Sequence, residues 1–206
     1  QKEKEKQLIT SGYKNEMNAL KAQIQPHFLF NTLNSISASV PSNLEHTREM
    51  IAQLADTFRY GLRASQEELV PLKDELKFVH DCLQLEQERF GERLQVFYEV
   101  DEQLLNQQIP PMFLQPIIEN AVKHGIAKSL DGGSITLSIS AVGKKILFKV
   151  KDTGVGLHGK DSAAMLSKGI GLSNTQKRLH FLFGESITIQ PNEPKGAIVS
   201  FLIPMN

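Results

Sequence analysis

The stretch PPMFLQPIIENAVKHG, Pro110–Gly125, decides how the carboxyl-terminal part of this 206-residue chain folds. Proline is favoured at the start of a helix, where its missing N–H costs no hydrogen bond. Glycine is favoured just past a helix end, because it readily adopts the left-handed conformation found there. The stretch therefore predicts one helix that begins at its prolines and stops at Gly125.

Two polar residues of this predicted helix, Asn120 and Lys123, stand three positions apart. Residues at that spacing share an α-helix face, so an amide oxygen able to ligate Mg²⁺ would lie beside an ammonium able to meet phosphate oxygens. Taken alone, such a pair is more often part of a solvated face. Its interpretation therefore depends on the motifs that follow.

The first of these motifs is KDTGVGL, Lys151–Leu157, at the end of a predicted strand. The carboxylate of Asp152 can accept a hydrogen bond from the exocyclic amine of a purine. Gly154 and Gly156 would let the backbone approach the ring, because neither carries a Cβ. The alternative is a tight turn, since Asp and Gly are turn residues in any protein.

The second motif, KGIGLSN at Lys168–Asn174, opens a predicted helix. Free backbone N–H groups at a helix start favour phosphate, and Gly169 and Gly171 stand at this one; the alternative is a hinge. The order of the motifs favours a nucleotide site: a helix with a Mg²⁺ ligand, a strand with an adenine acceptor, a mobile loop, then a phosphate-binding helix start.

The segments around these motifs predict an α+β domain from Pro71 onward. The predicted helices are LKDELKFVHDCLQLEQERF (72–90) and GIGLSNTQKRLHFLFG (169–184), and the strands are RLQVFYEV (93–100), SITLSIS (134–140), KILFKVKD (145–152), SITIQ (186–190) and AIVSFLIP (197–204). SITLSIS and KILFKVKD pair as a hairpin across AVGK. A flexible stretch, Thr153–Lys168, leads into the second helix. Helices on one face of a mixed, mostly antiparallel sheet give a sandwich.

A helical hairpin is predicted before Pro71. The residues with the spacing of a coiled-coil seam are Tyr13, Met17, Leu20 and Ile24. After PSN (41–43), a second helical period is carried by Leu44, Ile51, Leu54, Phe58 and Leu62. The short connection returns this helix antiparallel to the first. A hairpin of two helices cannot by itself cover the apolar stripes of both helices. We therefore expect a second copy to pack against it and complete a four-helix bundle.

The seam slips at Pro26, which is followed at once by His27. Proline inside a helix removes a hydrogen bond and clashes with the preceding turn, at a cost of ~3 kcal/mol. If His27 only filled the core, there would be no reason for a proline directly before it. An unperturbed imidazole has a pKa of ~6.5, so its neutral form offers a ring-nitrogen lone pair for attack on a γ-phosphoryl group. We expect the proline to expose the ring.

Composition excludes several function classes. Lys plus Arg and Asp plus Glu number 23 each, so net charge gives no reason to expect nucleic acid or an anionic membrane as partner. Cys82 is the single cysteine, which leaves no intrachain disulfide and fits a reducing compartment. No apolar run approaches ~18 residues, so no membrane span is predicted. We expect a longer parent protein, because the sequence starts in mid-helix.

Together these motifs resemble those of the LytS-like sensor histidine kinases, over nearly the whole chain. QIQPHFLFNTLNSI (23–36) is similar to the family's phosphoacceptor motif, FLQPIIENAVKHG (113–125) to its Asn box, and DTGVG (152–156) and GIGLSN (169–174) to the glycine boxes of its Bergerat-type ATP-binding fold. The resemblance implies a two-component enzyme that uses ATP and Mg²⁺ to phosphorylate its own histidine. The phosphoryl group would then pass to an aspartate of a response regulator.

The resemblance also implies residue roles. His27 would be the phosphoacceptor, Asn120 the Mg²⁺ ligand and Asp152 the adenine acceptor. Lys123 and His124 would lie along the phosphates and ribose. The other implied nucleotide contacts are Gly154, Gly156, Gly169, Gly171 and Leu172.

The same resemblance implies an organisation and partners. Residues 1–70 would be a dimerisation and histidine phosphotransfer hairpin, and residues 71–206 a catalytic ATP-binding domain. The partners would be a second copy and a response regulator with a LytTR or AraC-type output, without direct nucleic-acid binding. The full-length protein would be a membrane-anchored bacterial sensor with this portion in the cytoplasm.

Three positions depart from related patterns. Many histidine kinases carry an acid where this chain has Phe28, so the general base stays open between solvent and a group of the ATP domain. Gyrase-like ATPases carry a water-activating Glu where this chain has Pro116, so direct ATP hydrolysis is expected to be poor. The family's usual Gly-Thr is replaced by Gly196 and Ala197, so one water-mediated adenine contact is expected to be lost and ATP affinity to be modest.

Asn31 stands four residues after His27, one turn along the same helix face. Histidine kinases that act as phosphatases place Thr or Asn at this offset, which implies that Asn31 orients water for attack on the regulator's phospho-aspartate. The alternative is a polar residue that fixes coiled-coil register. The sequence disfavours two other functions: the intact motif set argues against an unphosphorylated scaffold, and Pro116 together with the predicted dimerisation hairpin argues against an ATPase.

Overall fold

The computed structural model describes residues 26–64, 66–157 and 170–205. They form two compact units that divide between Leu62 and Arg63. The functional domains 1–70 and 71–206 stay a prediction, because a division by packing does not locate a functional boundary. None of the helices in the described ranges combines the length and the apolar content that a membrane crossing requires.

The described part of the first unit, from residue 26 onward, contains two helices, as the apolar periods predicted. α1 spans Pro26–Ser39 and α2 spans Glu45–Ala64. Nε and Nη2 of Arg48 donate to the carbonyl of Val40 at 3.0 and 2.7 Å, which ties the start of α2 to the end of α1. The predicted seam at residues 13–24 lies outside the described residues, and the four-helix bundle stays a prediction.

The second unit begins with a short ladder and a long helix. β1, Val70–Pro71, pairs antiparallel with β3, Gln108–Ile109, and α3 spans Leu72–Phe90. Both ends of α3 coincide with the prediction. Gly91 ends the helix with a φ of +57°, a conformation that residues with a Cβ rarely adopt.

The main sheet has five strands in the order β2–β4–β5–β7–β6. They are Leu94–Val100 (β2), Gly133–Val142 (β4), Lys145–Asp152 (β5), Thr188–Pro191 (β6) and Ala197–Pro204 (β7). β2 runs parallel to β4, and the other neighbours are antiparallel, so the mixed, mostly antiparallel sheet is confirmed. The β4–β5 hairpin is confirmed too, with its turn reduced to Gly143 and Lys144.

One face of this sheet forms the hydrophobic core. Along β5, Ile146, Phe148 and Val150 are buried, and the Phe148 ring stacks on that of Phe201 in β7 with 4.8 Å between centroids. Helical residues that belong to the same core include Val79, Leu83, Ile117 and Leu179. Because the helices bury one face and the alternate residues of the strands stay partly exposed, the predicted α+β sandwich is confirmed.

The helix predicted from Pro110–Gly125 differs from the prediction at both ends. α4 spans Gln115–Asn120, so it begins after the first two prolines, with Pro116 in its first turn. The chain continues without a break as a π-helical segment, Ala121–Ile126. Gly125 lies inside that segment, so the prediction that it stops the helix is wrong. The physical reason is that Gly125 packs closely against the carboxylate of Asp152.

The helix predicted from the second glycine motif is confirmed. α5 spans Ile170–Phe183 and ends at Gly184, whose φ is +70° and whose N–H donates to the carbonyl of His180 at 2.9 Å. Gly169 and residues 158–168, which include most of the predicted flexible stretch, lie outside the described residues.

Candidate functional site

Asp152, the predicted adenine acceptor, is the last residue of β5 and is 5% exposed. One carboxylate oxygen, Oδ1, accepts from the N–H of Gly154 at 2.9 Å. Burial raises the pKa of this carboxyl above its ordinary value, whereas the N–H groups of Gly154 and Ala197 lower it. A buried acceptor held in place by backbone donors suits a ligand that brings its own hydrogen-bond donor, such as a purine amine.

The π segment lies directly against this carboxylate. A Cβ on Gly125 would stand 2.7 Å from Oδ1 of Asp152, and a Cβ on Gly154 would stand 2.2 Å from the carbonyl carbon of Gly125. The N–H of Val155 also donates to the carbonyl of Gly125, at 3.3 Å. Because Gly125 has no Cβ, the π segment can pack closely against Asp152 and Gly154. This contact explains why a glycine stands inside the segment.

Gly125→Ala is expected to lower nucleotide affinity by about tenfold or more, because the new methyl group displaces a charged hydrogen-bond acceptor. The measurement is the dissociation constant for ATP, by calorimetry. Gly143→Ala is the matched control: Gly143 has a φ of +60° with nothing within 4 Å of an added Cβ. That variant should lose ~1 kcal/mol of stability without a change in affinity. Unchanged affinity in Gly125→Ala would count against Asp152 as the acceptor.

A second pair of contacts holds the backbone of Asp152. Nδ2 of the buried Asn192 donates to the carbonyl of Asp152 at 2.8 Å. Gly196 has a φ of +112°, and a Cβ there would stand 1.9 Å from the same carbonyl oxygen. Gly156, with a φ of +81°, lies next to Gly196. Sequence reasoning missed the role of Asn192, because no local pattern links this residue, just past β6, to Asp152 at the end of β5.

The predicted phosphate-side residues follow one another along α4 and the π segment. Asn120 is half-buried at the end of α4, and Lys123 and His124 are exposed in the π segment. Nζ of Lys128, which the sequence analysis did not single out, lies 3.3 Å from Nδ1 of His124. A π-helical turn contains more residues than an α-helical turn. Asn120 and Lys123 therefore lie further apart around the helix axis than they would in the predicted α-helix.

The start of α5 packs against the start of α4. A Cβ on Gly171 would stand 3.3 Å from Cβ of Pro116. Gly171 is exposed in the first turn of α5, where backbone N–H groups have no helical partner. Leu172 is buried in the hydrophobic core, so its own contact with a ligand would have to come from its N–H.

The donor set fits Mg²⁺ held jointly with phosphate oxygens. In the described ranges, no three His, Cys, Asp or Glu side chains gather into a metal site. Mg²⁺ usually takes only one or two protein ligands, with substrate phosphates and water completing the octahedron. The amide oxygen of Asn120, at the start of a segment with Lys123 and His124, suits that arrangement.

The first unit carries the other two predicted site residues. His27 and Asn31 both lie in α1, four residues apart and hence on one helix face. Asn31 is exposed, and its backbone carbonyl accepts from Oγ of Ser35 at 2.8 Å. A shallow concave surface is lined by Asn31, Thr32, Ser35, Ile36 and Ser39.

Two family models match this chain. One, described as histidine kinase, matches residues 15–94; the other, described as histidine kinase-, DNA gyrase B- and HSP90-like ATPase, matches residues 110–206. The catalytic domain of the histidine kinase ThkA covers 67% of this chain and 97% of its own length, with a TM-score of 0.54 at 18% identity. The histidine kinase domain of a blue-light-activated kinase from Erythrobacter litoralis covers 88% and 94%, with a TM-score of 0.55 at 14% identity. The two family models together thus place the chain among the histidine kinases, and the solved structures share its fold.

Two relatives of known sequence indicate which group of histidine kinases the chain resembles. The sensor histidine kinase YpdA of Escherichia coli (strain K12) is 37% identical over 203 residues, which is 96% of this chain. The sensor protein LytS of Bacillus subtilis (strain 168) is 36% identical over 200 residues, or 92% of this chain. The chain spans about a third of the length of these relatives, 36% and 34% respectively. It belongs to the LytS-like sensor histidine kinases.

Proposed function

We propose that this chain is the kinase portion of a two-component sensor, which phosphorylates His27 with ATP and passes the phosphoryl group to an aspartate of a response regulator. The observation that carries the proposal is the Asp152 carboxylate, buried and fixed between Gly125 and Gly154. A desolvated acceptor in a defined position favours a ligand with a matching donor, here the exocyclic amine of adenine.

The remaining nucleotide contacts extend from that end of the sheet. Lys123 and His124 meet the phosphates and ribose. The N–H groups in the first turn of α5, near Gly171, bind phosphate oxygens. Gly169, which lies outside the described residues, is a further phosphate contact in this proposal. Asn120 would hold Mg²⁺ together with the phosphate oxygens, and a bound ion would supply positive charge beside the phosphates.

The first chemical step is attack by a ring nitrogen of His27 on the γ-phosphorus. A nitrogen–phosphorus bond forms as the bond from phosphorus to the β–γ bridging oxygen breaks, and ADP leaves. The imidazole gives up its proton to solvent or to a group of the ATP domain, since Phe28 offers no base. In the second step the nitrogen–phosphorus bond breaks as a carboxylate oxygen of the regulator's aspartate binds the phosphorus.

The functional division follows the two roles. Residues 1–70 form the dimerisation and phosphotransfer hairpin, and residues 71–206 the catalytic domain. Apolar side chains that the hairpin leaves exposed support a homodimeric four-helix bundle: Ile36 is 46%, Leu44 48% and Phe58 44% exposed. The regulator carries a LytTR or AraC-type output, and the chain works in the cytoplasm as part of a membrane-anchored sensor.

Incubation of the chain with γ-labelled ATP and Mg²⁺ tests this function. Acid-labile, base-stable label on the protein is the expected result, because a phosphoramidate hydrolyses in acid. Release of free phosphate without protein label would instead identify an ATPase. Nucleotide binding with neither product would identify a scaffold.

Asn31→Ala is expected to keep most of the autophosphorylation at His27 but to slow dephosphorylation of the cognate regulator by roughly tenfold or more, the scale of one positioned polar group. Decay of phosphorylated regulator is the measurement. Asn34→Ala, an exposed asparagine on the same helix, is the matched control and should behave as wild type. Unchanged decay together with a lower melting temperature of the dimer would assign Asn31 to coiled-coil register instead.

A further inference from the structure

Glu75 lies in the first turn of α3 and is completely buried, which is unusual for a charged residue. Its two carboxylate oxygens point to the loop that precedes α4. Oε2 accepts from the N–H of Met112 at 2.8 Å, and Oε1 accepts from the N–H of Leu114 at 3.1 Å. Glu75 thus joins α3 to the start of the helix that carries Asn120.

The backbone of this loop has a conformation that needs support. Met112 has a φ of +59°, in the left-handed region that residues with a Cβ rarely adopt. Such residues persist where the surrounding structure holds them in place. Here the N–H of Met112 itself donates to Glu75, so the carboxylate holds the strained residue directly.

Arg178 contacts the same loop. Its Nη2, on α5, donates to the carbonyl of Pro111 at 3.0 Å, and its guanidinium lies 4.5 Å from the centre of the Phe113 ring. Burial raises the pKa of the Glu75 carboxyl, while the N–H groups of residues 112–114 and the positive charge of Arg178 act in the opposite direction. The stabilisation of the buried Glu75 carboxylate therefore depends on this loop and on Arg178 of α5.

We propose that Glu75 is a positioning residue for the Mg²⁺ site: by holding the loop 111–114 it sets the axis of α4 and so the place of Asn120, while Arg178 ties α5 to the same loop. This inference rests on the proposed function. Asn120 lies six residues beyond Leu114, ~9 Å along a helix axis, so a tilt of ~10° at the loop moves it by more than ~1 Å. Displacements of that size in an active site can cost ~100-fold in rate.

The test compares ADP binding with Mg²⁺ and with EDTA, in the full chain and in Glu75→Gln. The amide keeps the shape of the side chain but replaces one acceptor by an N–H donor that faces another donor. We expect the factor by which Mg²⁺ strengthens ADP binding to fall about tenfold, while metal-free ADP affinity stays within about twofold. A merely structural role would lower the melting temperature and leave the Mg²⁺ factor unchanged, which would overturn the proposal.

Two further variants make the result specific. Glu88→Gln, the same change at an exposed position of α3, should keep the wild-type Mg²⁺ factor. If Glu75→Gln does not fold, Arg178→Lys gives the same measurement, because lysine keeps the charge but loses the planar stack on Phe113. If folded Arg178→Lys keeps the wild-type Mg²⁺ factor, the proposal that the contacts of Glu75 and Arg178 with loop 111–114 position Asn120 is refuted. Failure of the wild-type chain to bind ADP would refute the proposed function instead.

Discussion

Replacement of His27 by glutamine is expected to abolish autophosphorylation and to leave ATP binding almost unchanged. Glutamine is polar and helix-compatible, so α1 should persist, but its amide nitrogen has no lone pair available for attack on phosphorus. The nucleotide residues belong to the second compact unit, whereas His27 lies in the first, so binding should be unaffected. Protein-bound label from γ-labelled ATP and the ATP dissociation constant are the two measurements.

The matched control for this variant is His46→Gln. His46 is exposed in α2, and its Nδ1 lies 4.0 Å from Oε2 of Glu49 on the helix surface. The control should retain full labelling, because a surface pair of this kind contributes little to stability. Label at the wild-type level in the His27 variant would show that another residue receives the phosphoryl group.

The second large effect is expected from the nucleotide pocket. Asp152→Asn should lower ATP affinity by about 10- to 100-fold, the scale of one hydrogen bond to a charged group, and phosphorylation should fall with it. Asparagine has one acceptor and one N–H₂ donor where aspartate has two acceptors. Its donor would face either the adenine amine or the N–H of Gly154, which donates to the carboxylate in the wild type, and both of these groups are donors themselves. Asn120→Asp should also lose phosphorylation, because the altered ligand disturbs Mg²⁺ and adds negative charge near the phosphates.

Binding and labelling measured together separate these two variants. Asp152→Asn should weaken ATP with or without Mg²⁺, whereas Asn120→Asp should change mainly the Mg²⁺-dependent part. Asp131→Asn, at an exposed position of the same unit, is the control for loss of a carboxylate. Full ATP affinity in both pocket variants would contradict the assignment of Asp152 and Asn120.

Local sequence determined the secondary structure of the second unit well. The predicted helix 72–90 and α3 have the same ends; a proline precedes Leu72 and a glycine follows Phe90, and such end signals act within about one helical turn. The β4–β5 hairpin was predicted for the same reason, since its two-residue turn brings neighbouring segments of chain together. The role predicted for Asp152 rests on local sequence too, because Gly154 and Gly156 follow it within four residues.

Only the tertiary structure decided what surrounds these residues. Gly125 was predicted to end a helix because a local rule considers backbone conformation alone, whereas its real constraint is the carboxylate of Asp152 in another element. Asn192 bonds a carbonyl 40 positions away, and Glu75 bonds an N–H 39 positions away. Buried polar groups need a partner once water is excluded, but that partner can come from any part of the chain. Such pairs leave no periodic pattern around either residue, so they become visible only when the chain has folded.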